Sequence, residues 1–247
     1  PYRETQGFGS AITYVPDGPP RSTHPLQECK DLRLLAKPDP LISPRMRDRV
    51  QAARAYKERW NKQYSILGWV EGPAAEAADL RDVVPFLMDL IEDEVFAADL
   101  MDVCLDTAIR FAQAQVEAGA DTIGIGDAIA SQVSPDIYER LIQPREKALI
   151  RAIQSWGARV RLHICGNITQ LLPGIADLRP DILDVDHMVD MGEVRRAVGR
   201  QVAIAGNLDP VSVIREGTPE RIRAMLGEIY EKVGNPLMVN AGCEIPS

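Results

Sequence analysis

The feature that most constrains the fold is an alternation of two residue periods along most of the chain. Six short runs rich in Val, Ile or Leu, bounded by Gly, Pro or Asn, read as buried strands: Tyr64 to Val70, Asp121 to Ile125, Arg159 to Ile164, Asp181 to Asp186, Gln201 to Ala205 and Leu237 to Ala241. Between them apolar residues recur at spacings of three and four. This predicts helices over about Pro44 to Trp60, Leu80 to Ala118 as two helices, Pro135 to Trp156, Ile168 to Asp177, Gly192 to Val198 and Pro219 to Val233. Ser134-Pro135 and Thr218-Pro219 each offer a capping hydroxyl followed by Pro at the first helical position. Gly119, Gly157 and Gly234 fall just past helix ends. Strands alternating with helices imply a parallel sheet with helices outside it.

Such a sheet is either open and doubly wound or closed as a barrel. No Gly-rich dinucleotide turn follows any strand, and polar residues gather after nearly every one, as active-site loops do on a barrel's carboxyl face. A (β/α)8 TIM barrel is therefore expected. Six strands do not close it, and the chain lacks an initial Met and stops directly after its last strand. The expectation is one barrel domain over residues 1–247 without its N-terminal portion. Residues 1–45 form loops and a hairpin through Ser10 to Val15, and residues 46–247 supply six βα units.

Composition removes whole classes of function. Lys plus Arg number 28 against 36 Asp plus Glu, a net charge of -8, and the pI is near 5.0. That is the wrong sign for a nucleic-acid surface. The most apolar stretch, Val83 to Cys104, is broken by Asp89, Glu92, Asp93, Glu94, Asp99 and Asp102, so it spans no membrane and its acids read as the solvated face of helices. No secretory signal is visible, and four scattered cysteines are too few for a disulfide scaffold, which points to a reducing, cytoplasmic compartment.

The residues that carry chemistry lie at strand ends. His163 and Cys165, two apart at the end of one strand, point the same way. Cys243 follows the last strand, and in a barrel all carboxyl ends converge. One imidazole and two thiolates suit zinc, and three protein ligands with an open fourth position mark a catalytic site. The competing reading is a core histidine with two ordinary strand cysteines, as Cys104 on a helix and Cys29 in a loop are read.

The runs His163-Ile164-Cys165-Gly166-Asn167, Val202 to Val211, Gly217 to Glu220, Asn240 to Pro246, and Ser134-Pro135-Asp136-Ile137-Tyr138 together resemble the uroporphyrinogen decarboxylase superfamily. The resemblance runs from about Gly7 to the end. Within it, the zinc-dependent methylcobalamin:thiol methyltransferases of the coenzyme M type carry a His-x-Cys and a distant Cys as metal ligands, which fall on His163, Cys165 and Cys243. True decarboxylases have a Gly-His-Gly turn where this chain has Gly242-Cys243-Glu244, and a Gly-Ala-Pro-Phe-Thr-like loop where it has Glu71 to Ala75. The first two barrel strands of the family are expected to be missing.

The resemblance implies Zn2+ as cofactor, methylcobalamin or another corrinoid as co-substrate, a corrinoid protein as partner, and a thiol or methylated small molecule as the other substrate. Asn207 and Asp209 are candidates for corrinoid contact or a strand-to-helix turn. Asp186 and His187 are candidate supports for His163 or solvated loop residues, and Glu71 and Asp127 candidate fourth ligands or solvated loop carboxylates. Two other functions stay open: a metal-free decarboxylase-like enzyme acting on a tetrapyrrole, and a noncatalytic corrinoid-handling protein.

Overall fold

The computed structural model describes every residue except Asp17, Lys62 and Ser247. The chain opens with helix α1 (Arg3–Gly7), the paired two-residue strands β1 (Ile12–Thr13) and β2 (Arg21–Ser22), and helix α2 (Pro44–Trp60). The hairpin expected at Ser10 to Val15 is the β1–β2 ladder, with Ile12 opposite Ser22. Helix α1 gave no periodic signal because five residues are too few for one. Long-range contacts hold it instead: Thr5 Oγ1 donates to Glu76 at 3.2 Å, and a Glu4 carboxylate oxygen accepts from the backbone N–H of Glu71 at 3.0 Å.

Strands β3 (Leu67–Glu71), β4 (Thr122–Gly126), β5 (Arg159–Ile164), β6 (Ile182–Val185), β7 (Ala203–Leu208) and β8 (Leu237–Ala241) form one sheet in chain order. Every neighbouring pair is parallel. All six expected strands are present, shifted by up to three residues. Helices cover the connections: α3 (Pro73–Arg81), α4 (Val83–Glu92) and α5 (Glu94–Glu117) after β3; α6 (Pro135–Ile137) and α7 (Gln143–Ser155) after β4; α8 (Leu172–Leu178), α9 (Met191–Val198) and α10 (Pro219–Val233) after the next three strands.

Two departures from the sequence expectation have local causes. The stretch from Leu80 to Ala118 is split at Asp82, where φ is +77°, and again at Asp93, whose carboxylate caps α5 by accepting from Phe96 N at 3.3 Å. Its acids are not all solvated. Asp89 is 4% exposed and faces inward because Arg81 Nε and Lys30 Nζ each reach it at 2.7 Å. The helix expected from Pro135 begins at the Ser134 cap but widens into a π turn over Tyr138–Ile142. Pro144 has no N–H to give the carbonyl of Arg140, so the regular ladder is interrupted there.

The sheet is strongly curled. Strands β5 and β8 are three places apart, about 14 Å in a flat sheet, yet the side chains beyond their ends meet at 3.5 Å. Trp69 lies across β4, and a Cβ at Gly124 would stand 2.2 Å from its ring, so that position needs glycine. Among the described residues β3 and β8 do not pair with each other. The free edge of β3 is occupied by a side chain, because Gln115 accepts from Trp69 N at 2.9 Å and donates to Trp69 O at 3.0 Å. No helix among the described residues is long and apolar enough to cross a membrane.

Candidate metal centre

His163 is the penultimate residue of β5 and Cys165 stands one residue past its end, so the pleat turns both side chains to one face. His163 Nε2 lies 3.0 Å from Cys165 Sγ, and Cys165 Sγ lies 3.5 Å from Cys243 Sγ, which arrives from beyond the end of β8. One donor atom from each of the three falls within 4.8 Å of the others. Donors bound to one tetrahedral zinc at its usual bond lengths sit roughly 3.3–3.8 Å apart, and the separations of 3.0 and 3.5 Å from Cys165 Sγ lie close to that spacing. Burial and the adjoining Cys243 sulfur push the Cys165 thiol up to about 12. A sulfur so placed stays protonated at neutral pH unless a cation sits beside it. The donor chemistry and spacing therefore fit zinc.

A ring of hydrogen bonds orients the trio. The backbone carbonyl of Asp184 on β6, opposite His163 in register, lies 3.2 Å from His163 Nδ1. The Asp184 carboxylate, 3.6 Å from the same nitrogen, accepts from Arg161 Nη2 at 2.5 Å and Asn240 Nδ2 at 3.0 Å. Nδ1 is thus the protonated nitrogen and Nε2 is left to bind. Asp186, 4% exposed, accepts from Gly166 N at 2.8 Å and Met188 N at 3.1 Å, which fixes the turn carrying Cys165.

The remaining candidates divide by position. His187 Nδ1 lies 2.8 Å from Asp186 Oδ1. Asn207 donates to the carbonyls of Asp186 at 3.0 Å and Val189 at 2.7 Å. Asp209 accepts from Val211 N and Ser212 N and caps the turn over Pro210–Arg215. Asp209 thus holds the turn after β7, whereas Asn207, inside β7, ties down the loop after β6. Glu71 and Asp127 do not join the donor trio, and neither is a solvated loop carboxylate. Asp127 is fully buried and accepts from Ala74 N at 3.3 Å and Ala75 N at 2.8 Å, holding the start of α3. Burial and the charge of Glu4 push Glu71 up to about 8. Sequence reasoning missed Arg161, Asp184 and Asn240. Arg161 was legible as a charge two residues before His163 inside a strand, whereas the pairing of Asp184 with His163 needs the register.

Fold and centre together define a curled parallel α/β sheet of the barrel kind with a candidate metal centre at its strand ends. The chain belongs to the uroporphyrinogen decarboxylase family, whose model matches residues 2–247. The methylcobamide:CoM methyltransferase MtbA of Methanosarcina mazei is 33% identical over 205 residues, 80% of this chain and 58% of that protein. MtaA of Methanosarcina barkeri is 30% identical over 71% of this chain and 52% of its own length. The uroporphyrinogen decarboxylase of Myxococcus xanthus is 26% identical over 85% of the chain. The chain thus spans little more than half the length of the methyltransferases it matches. A solved methyltransferase from Methanosarcina mazei superimposes with a TM-score of 0.89 at 27% identity, over 99% of this chain and 72% of that one.

Proposed function

We propose that this chain supplies six of the eight βα units of a zinc-dependent methyltransferase, which moves a methyl group between a corrinoid carried on a corrinoid protein and a thiol or methylated small substrate. The observation that carries the reading is the trio His163, Cys165 and Cys243, drawn to within 4.8 Å in a chain related to methylcobamide:CoM methyltransferases. These three residues would hold the ion. Zinc, when bound, supplies the charge that lets a substrate thiol bind as thiolate near neutral pH.

The chain's own part is positioning. Asp184, held by Arg161 and Asn240, keeps the His163 ring in the tautomer that binds through Nε2. Asp186 holds the Cys165 turn through Gly166 N. In the transfer to a thiol, a carbon–sulfur bond forms as the cobalt–carbon bond breaks, and that bond's electron pair stays on cobalt as cob(I)alamin. The corrinoid does this chemistry while the protein orients the sulfur.

The test is metal stoichiometry of the full-length protein, followed by the colour change of methylcobalamin with a panel of thiols. About one zinc per chain and thiol-dependent loss of the methylcobalamin spectrum are expected. A metal-free protein that decarboxylates a porphyrinogen would overturn the reading.

A further inference from the structure

The strand register lays two rows of residues across the face of the sheet that carries His163. One row joins Trp69, Gly124 and Arg161, and the next joins Glu71, Gly126, His163 and Asp184. Residues paired across parallel strands point to the same face, so Glu71 and His163 flank a strand that has no side chain at either step. Trp69 and Glu71 both lean into that gap. A Cβ on Gly126 would lie 2.9 Å from the Trp69 ring and 3.5 Å from Glu71 Oε2. An indole edge and a carboxylate oxygen therefore converge on one point, and the strand of His163 is the next along the row, about 4.8 Å away.

The main-chain N–H of Glu71 is bonded to Glu4, but among the described residues no hydrogen bond or ion pair reaches the Glu71 carboxylate. Trp69 and Glu71 are both half-buried, which shields a charge beside them from water while leaving room for a small molecule. Arg161, which precedes His163 on the same face, is already bound to Asp184 at 3.0 and 2.5 Å. It is not available to an anion. A cation, by contrast, meets the face of an aromatic ring and an unpaired carboxylate, both of which attract ammonium groups. Burial and the charge of Glu4 work against the ionised form of Glu71, and an ammonium placed beside it supplies the opposite charge that favours this form.

We propose that Trp69 and Glu71 form a subsite for a positively charged nitrogen, so that the small substrate is an aminothiol whose ammonium lies over Gly126 while its sulfur points to His163, Cys165 and Cys243. The subsite rests on the methyl-transfer reading and adds to it the class of thiol. In 2-aminoethanethiol two carbons separate nitrogen from sulfur, a reach that suits the single-strand step from Gly126 to His163. The sulfonate of 2-mercaptoethanesulfonate, held at the same place, would stand against a carboxylate and the negative face of a ring. Glu71 and Trp69 are thus specificity-determining residues in this scheme, and neither takes part in the bond changes.

Two measurements on the full-length protein test this. Calorimetry on the metal-free protein compares 2-(methylthio)ethylamine, the thioether that an aminothiol would give, with its neutral counterpart 2-(methylthio)ethanol. The ammonium compound should bind roughly 10-fold more tightly. Glu71→Gln should bring the two close to parity, and Trp69→Leu, which keeps the carboxylate and removes the ring, should narrow the gap as well. Steady-state loss of methylcobalamin with the zinc-loaded protein should give 2-aminoethanethiol the lowest KM, 2-mercaptoethanol the next and 2-mercaptoethanesulfonate the highest, with the spread reduced in Glu71→Gln. Parity of the two thioethers in the parent, a preference that survives in both variants, or a KM order led by the sulfonate overturns the ammonium subsite and leaves the methyl-transfer reading standing. Glu71-dependent binding of the ammonium compound by a protein that takes up no zinc and consumes no methylcobalamin supports the subsite and overturns the methyl-transfer reading.

Discussion

Two cysteines of the same chain stand in different settings, one beside candidate metal donors and one in packing. Cys243 Sγ is 3.5 Å from Cys165 Sγ at the strand ends, whereas Cys104 is 1% exposed on α5 within the apolar core. On the proposed reading Cys243→Ala is expected to abolish methyl transfer and reduce zinc affinity together, because the sulfur would serve as a ligand and not as a nucleophile. Cys104→Ala leaves a small cavity that costs about 1 kcal/mol and should leave zinc stoichiometry intact. Metal analysis of the two purified variants decides this, and a Cys243→Ala protein with full zinc would make Cys243 an ordinary strand-end cysteine. Asp184 offers a graded version of the test. Asp184→Asn removes the charge beside His163 but keeps its backbone carbonyl, so zinc affinity should fall by about 10- to 100-fold without being lost. A chelator competition titration reads it, and an unchanged affinity would mean that the carbonyl alone orients the ring.

Elements show where sequence signals stop. Ser134 and Thr218 were read as caps from one hydroxyl and one proline each, and both accept the expected backbone N–H. Asp127 gave no comparable signal, because it caps α3 from 52 residues away in the chain, and such pairing exists only once β3 and β4 are in register. Asp89 was misread for the same reason, since its cations come from Lys30 and Arg81 on other elements. The juxtaposition of His163, Cys165 and Cys243, by contrast, was legible because strand period fixes His163 against Cys165 and barrel geometry brings Cys243 to them. Asp127 also has a pH signature. Burial, against two accepted N–H bonds, raises its carboxyl from 3.8 to about 7, so the native state holds a proton that the unfolded chain releases. Its contribution is therefore favourable at low pH and is lost as pH rises from 3.8 to about 7. The buried carboxyls of Glu76 and Glu146 are raised as well and act in the same direction. The urea midpoint should fall between pH 5 and pH 8, and fall less in Asp127→Asn. Equal falls in parent and variant would remove Asp127 from the account.

At the scale of the whole molecule the two ends of the sheet are not alike. On β3 the outward N–H and C=O of Trp69 are already bonded to Gln115, and the N–H of Glu71 is bonded to Glu4. An edge whose polar groups are occupied by its own side chains is a poor template for another strand. Strand β8 carries no such guard among the hydrogen bonds of the described residues, and it exposes Met238 at 43% and Val239 at 68%. A short, apolar, parallel-paired edge of this kind recruits further strands. The 247-residue chain alone is accordingly expected to associate through β8. Sedimentation velocity should show a mass that rises with concentration up to about 100 μM. Val239→Lys, which places a charge on that edge, should return the chain to a monomer, whereas a lysine at Leu67 on the guarded β3 edge should leave the association unchanged. A parent chain that stays monomeric throughout the range, or one rescued equally by either lysine, would show that the asymmetry between the two edges does not govern how the molecule assembles.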